Sequence, residues 1–242
     1  MGVVTQELMH KILWSLSWVI TIYSLLIFLK LHKTKKWIKE KSWFQIYMAN
    51  IFLLFLINII MHELVSDHNK LLYVTFFEIY NIFFVVVERC AVLKILFERN
   101  ESFYFKMLLI RVLVLLWFII ISYVLLTRPL FSPIKIHYAG EFFTGLQLLG
   151  ISIACIVKFK NMYNTNTAIE TRKVLLVLGI FSYAILSTPF LFAARLIRMY
   201  DGILYSGLYL VHQITLIILC FSIHRYCFPA FNSKKQVVMF NK

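Results

Sequence analysis

Seven apolar stretches, each about the length of a membrane-crossing helix, take up nearly all of this 242-residue chain. They are Lys11–Leu31, Trp43–Leu64, Leu71–Phe97, Phe105–Thr127, Glu141–Val157, Lys173–Met199 and Gly202–Tyr226. A spanning helix needs about 20 mostly apolar residues. Inside lipid only a helix or a closed barrel satisfies its own backbone polar groups. None of the stretches alternates apolar with polar as a barrel strand does. The expected fold class is therefore an all-α membrane protein, one seven-transmembrane helix bundle over residues 1–242. Composition agrees: 61% of residues are hydrophobic, against about 45–50% in a soluble domain. Only Tyr200-Asp201-Gly202 parts the last two stretches, which makes them antiparallel neighbours.

Orientation follows from where Lys and Arg fall. Of 25 such residues, 18 lie in the segments Lys30–Lys41, Arg89–Lys106 and Lys158–Lys173 and in the C-terminal tail from Arg225, which fall on one side. The side richer in Lys and Arg stays in the cytosol. The N-terminus is expected outside and the C-terminus in the cytosol of a multi-pass plasma-membrane protein. The net charge of +14 is thus a topology signal and not a nucleic-acid footprint. Lys33-Thr34-Lys35-Lys36-Trp37 is a basic loop able to touch anionic lipid. The sequon Asn100-Glu101-Ser102 falls on the cytosolic side and should stay unglycosylated. Trp14, Trp18, Trp37 and Trp43 sit near the expected membrane surfaces, as aromatic belts do. The N-terminal run lacks a small-residue cleavage site and is expected to act as an uncleaved first helix. The four cysteines lie within or at the ends of spans and imply no disulfide framework.

The patterns of enzyme chemistry are missing from the sequence. His62, Glu63, Asp67 and His68 cluster near a surface. His212 and His224 are 12 residues apart on one helix, about 18 Å, too far to share a metal. There is no His-x-x-x-His, Gly-x-Ser-x-Gly or phosphate-binding glycine loop. No lysine stands in the last stretch for a retinal Schiff base. A non-enzyme with no cofactor and no metal is expected.

The polar residues inside the spans form two sets. Glu78, Asn81, Gln147, Arg195 and His212 fall in the outer half. Glu78 and Asn81, three residues apart, share a helical face. At about 1.5 Å per residue His212 lies roughly 15 Å below Asp201, a depth that suits an outward-opening cavity. Glu78, Asn81, Arg195 and His212 are therefore expected on the ligand side, unless they only join helices to one another. Glu88 and Arg89 form the inner set, near the end of the third stretch. As adjacent residues they should point about 100° apart, leaving Arg89 free for another helix. Pro189, two-thirds along the sixth stretch, should kink it.

The string Val87-Glu88-Arg89-Cys90-Ala91, followed by Phe97-Glu98-Arg99-Asn100-Glu101, resembles the nematode serpentine chemoreceptors, especially class epsilon and its class alpha relatives. More broadly, an acidic-Arg pair closing the third of seven helices is similar to the corresponding motif of G-protein-coupled receptors. Glu170, before the sixth stretch, resembles a glutamate these families carry in the same loop. The resemblance implies a receptor for a small-molecule ligand coupled to a heterotrimeric G protein. It also implies a switch at Glu88, Arg89 and Glu170, with Arg89 and Glu170 paired at rest. The alternative from the residues alone is a membrane transport or scaffold subunit whose buried polar residues are structural.

Overall fold

The computed structural model describes residues 2–34, 41–64, 84–85, 87–96, 133–164, 169–200, 202–228 and 237–238. Helix α1 is Gly2–Lys33 and α2 is Lys41–Leu64. Residues 87–96 form the helical segment α3. Helix α4 is Pro133–Asn164, α5 is Thr171–Tyr200 and α6 is Gly202–Cys227. A two-residue strand β1, Ile169–Glu170, pairs antiparallel with β2, Val237–Val238. Five helices are long and apolar enough to cross a membrane: α1, α2, α4, α5 and α6. The chain is an all-helical, multi-pass membrane protein.

The helices reach past the apolar stretches. The fifth stretch, Glu141–Val157, is the core of a helix of 32 residues. Hydropathy finds the part of a helix that lies in hydrocarbon, whereas the backbone continues into the polar surroundings. One residue separates α5 from α6, so these two form the expected antiparallel pair. Pro189 lies inside α5, where it removes the hydrogen bond its N–H would have made. The neighbouring Thr188 hydroxyl donates to the Ala184 carbonyl at 2.7 Å.

The packing is inverted relative to a soluble protein. On α1 the buried face includes Ser17, Thr21 and Ser24, while Val19, Ile22 and Leu26 are exposed at 48%, 53% and 57%. Leucine facing out and serine facing in is stable only when the outside is lipid. The hydroxyls cost little there, because Ser17 donates to the Leu13 carbonyl, Thr21 to Ser17 and Ser24 to Thr21. Small side chains then let the backbones approach. Gly179 of α5 shows this most plainly: a Cβ there would stand 2.6 Å from the Cβ of Ser222 on α6, and closer still to its hydroxyl.

Neighbouring helices follow the order α4, α5, α6, α1, α2. Cross-links give their directions. Ser17 meets Gln213, and Lys30 meets His224, so α1 and α6 run parallel. Asn50 of α2 donates to the Phe84 carbonyl just ahead of α3, and Tyr47 of α2 bonds Glu88 of α3, so these two run antiparallel. Helix α3 also meets α5, through Glu88 and Tyr183, and so links α2 to α5.

Replacing Gly179 by Ala should push α5 from α6 and destabilise the bundle by about 1–3 kcal/mol, the usual range for overpacking. Adding Ser222→Gly should recover most of the loss. Unfolding in detergent micelles, run on both single variants and the double variant, checks this.

Candidate functional site

Burial of a charge inside a membrane bundle needs partners, and Glu88 has three. Its Oε1 accepts from the Tyr183 hydroxyl of α5 at 2.8 Å and, at the limit of bonding distance, from the Tyr47 hydroxyl of α2 at 3.5 Å. Its Oε2 lies 2.8 Å from Nη1 of Arg89. Glu88 and Arg89 are 1% and 2% exposed. The adjacent residues therefore do not point apart with Arg89 free, as helix geometry alone led us to expect. Both side chains are long enough to curl towards each other, and burial leaves Arg89 its neighbour as the available counter-charge. The contact is ionic rather than an aligned hydrogen bond: Arg89 Nε and Nη1 have no hydrogen-bond partner.

The expected outer and inner sets meet through one residue, Tyr183. His212, assigned to the outer set, stacks near Tyr183, the residue that holds Glu88; their ring centroids are 5.7 Å apart. His212 Nδ1 is 2.9 Å from the Ser187 hydroxyl, which lies 3.4 Å from the Thr215 hydroxyl. Phe190 and Tyr209 stack on the same imidazole, at 5.3 and 6.1 Å. Tyr205 continues the column one turn further, 6.5 Å from Tyr209. The column therefore runs from the Gly202 end of α6 to the middle of the bundle, where it meets the Tyr183–Glu88–Arg89 cluster. His212 is half-buried, with aromatic faces on several sides.

The remaining assignments stand differently. Gln147 of α4 is buried, and neither end of its amide has a hydrogen-bond partner. Glu78 and Asn81 lie outside the described residues. For Arg195 and Glu170 the described part is the backbone: Arg195 lies on α5, and Glu170 pairs through β1 with Val237 of the tail. Among the described residues no group of three His, Cys, Asp or Glu side chains is placed to hold a metal.

Several participants escaped the sequence reading. Tyr47 and Tyr183 sit in apolar runs where a tyrosine looks like packing. The available signal was depth, since belt tyrosines belong at the interface and these two lie within their helices. Gln213, beside His212, is fully buried and donates to the Ser17 hydroxyl of α1 at 3.0 Å. Comparison with protein-family models, curated proteins and solved structures finds no match to this chain.

Glu88→Gln should leave the Arg89 charge buried without compensation, at a cost of about 3–5 kcal/mol. Removing both charges, Glu88→Gln with Arg89→Gln, should cost less than the single change. Tyr183→Phe should destabilise more than Tyr47→Phe, because its hydrogen bond is shorter. Thermal unfolding of the purified variants in one detergent ranks all four.

Proposed function

We propose that this protein is a seven-transmembrane chemosensory receptor of the plasma membrane. It binds a small extracellular ligand between its helices and signals through a heterotrimeric G protein. The observation that carries the reading is the position of Tyr183. One α5 side chain touches both His212, in its aromatic column, and Glu88, the acidic member of the α3 pair. A ligand that displaces His212 or its neighbours moves the residue that ties α5 to α3. It does so to the extent that it binds the displaced arrangement more tightly.

Helix directions support a seven-helix count. Helix α4 is joined to α5 through residues 165–170 and packs against it, an antiparallel hairpin. With α5 antiparallel to α6, α4 runs parallel to α6 and hence to α1. Helix α3 runs that way too, since it opposes α2. Two successive helices in one direction fit a return crossing between them, and Phe105–Thr127 is the apolar stretch available for it. Seven crossings with Lys and Arg concentrated at one face give an outer N-terminus. Arg89, held by Glu88, then takes part in the resting state through the α2–α3–α5 cluster, and Glu170 lies on the same cytosolic side, ahead of α5.

Basal G-protein signalling in a heterologous cell tests the reading. Tyr183→Phe should raise it several-fold at equal surface expression, because the α3–α5 tie is cut while the ring stays. Basal signalling at the wild-type level in that variant counts against the switch. No G-protein-dependent signal from any variant would favour the transport or scaffold alternative.

A further inference from the structure

The end of the bundle where α1 and α6 finish gathers cations from three helices. Helix α1 has Lys30 in its last turn, α2 begins at Lys41, and α6 has His224 and Arg225 in its last turn. Contacts tie Lys30, Lys41 and His224 together, and Arg225 follows His224 on α6. Lys41 Nζ donates to the Thr34 carbonyl at 2.7 Å. Thr34 in turn bonds the Lys30 carbonyl through its backbone N–H, at 3.1 Å, and its hydroxyl, at 2.7 Å. Lys30 Nζ lies 3.2 Å from His224 Nε2. An ammonium can only donate, so Nε2 accepts, and the ring proton sits on Nδ1, 3.1 Å from the Tyr23 hydroxyl. The geometry makes His224 neutral.

Among the described residues the partners of these cations are uncharged. Lys30 meets an imidazole and the ring of Phe228, 4.4 Å from its Nζ. Lys41 meets a carbonyl. Arg225 lies 5.3 Å over the ring of Phe221. Among the described residues no carboxylate pairs with any of the three, whereas Lys11 pairs with Glu7 and Arg89 with Glu88. Cations at helix C-termini complement the dipole, and cations in loops set topology. Both roles are filled by side chains that point into water. Neither requires Lys30 to turn onto a neighbouring helix or Lys41 to bond the end of α1. The contacts hold positive charge in fixed places without neutralising it, which is what an anion site needs. A helix that crosses a membrane ends near the phospholipid headgroups, and exposed Phe221 offers an apolar surface beside Arg225.

We propose that Lys30, Lys41 and Arg225 bind the phosphate-bearing headgroup of one anionic phospholipid at the corner of α1, α2 and α6. His224 acts as a positioning residue that aims Lys30. The site does not depend on the signalling role.

Native mass spectrometry of the full chain, released from neutral detergent with added phosphatidylserine or phosphatidylcholine, tests this. The phosphatidylserine adduct should be retained in preference to phosphatidylcholine. Lys30→Gln and Arg225→Gln should each weaken it about fivefold, the effect of one basic charge near a membrane. Lys30→Arg should keep it, and so should Lys11→Gln, whose ammonium is paired with Glu7. His224→Leu should weaken the adduct, and His224→Gln, which restores an acceptor for Lys30, should recover it. Lys30 and Arg225 are exposed, so these variants keep the bundle. Equal retention of the two lipids overturns the proposal, as does a Lys11→Gln loss matching that of Lys30→Gln. Competition by soluble glycerophosphoserine at concentrations like those of the lipid would assign the site to a free phosphate compound and overturn the lipid assignment.

Discussion

Placing a carboxylate and a guanidinium inside an apolar bundle is the constraint around which the described helices are arranged. The desolvation penalty for each ion is several kcal/mol, and attraction between the pair offsets it only with further hydrogen bonds. Tyr47 and Tyr183 supply those bonds to Glu88 from two other helices. The charge pair therefore fixes α2, α3 and α5 relative to one another, and any rotation of α3 must break one of these contacts. Arg89 is the less satisfied partner, with Nε and Nη1 lacking hydrogen bonds. That imbalance puts the weaker half of the cluster on the residue expected to exchange partners.

The fold was largely legible because lipid is a severe filter. Apolar length marked α1, α2, α4, α5 and α6, the single-residue junction at Asp201 marked a hairpin, and Pro189 fell inside a helix as expected. Helix ends were less legible, since hydropathy is silent about the polar turns beyond Glu141 and Val157. The candidate site was legible only as an inventory. Glu88, Arg89 and His212 stood out as polar residues in apolar runs, but sequence spacing holds no information on which helix each would meet. The pairing of Glu88 with Arg89 depends on side-chain reach and on what burial leaves available, neither of which is periodic. Tyr183 joined the two sets through a hydroxyl on an otherwise ordinary core aromatic.

Small polar residues perform a second kind of organisation. Ser17, Thr21 and Ser24 return their hydroxyl protons to their own helix, so they present narrow, satisfied surfaces to neighbours. Gly179 against Ser222 takes the same approach to its limit. Close backbone approach multiplies dispersion contacts in a setting where lipid tails compete equally for every leucine.

The bond between Ser17 and Gln213 joins residues 196 positions apart, and α6 is also a neighbour of α1. Helices enter a membrane in the order of synthesis. The face of α1 that carries Ser17 thus gains its Gln213 partner only after α2, α3, α4 and α5 have been made.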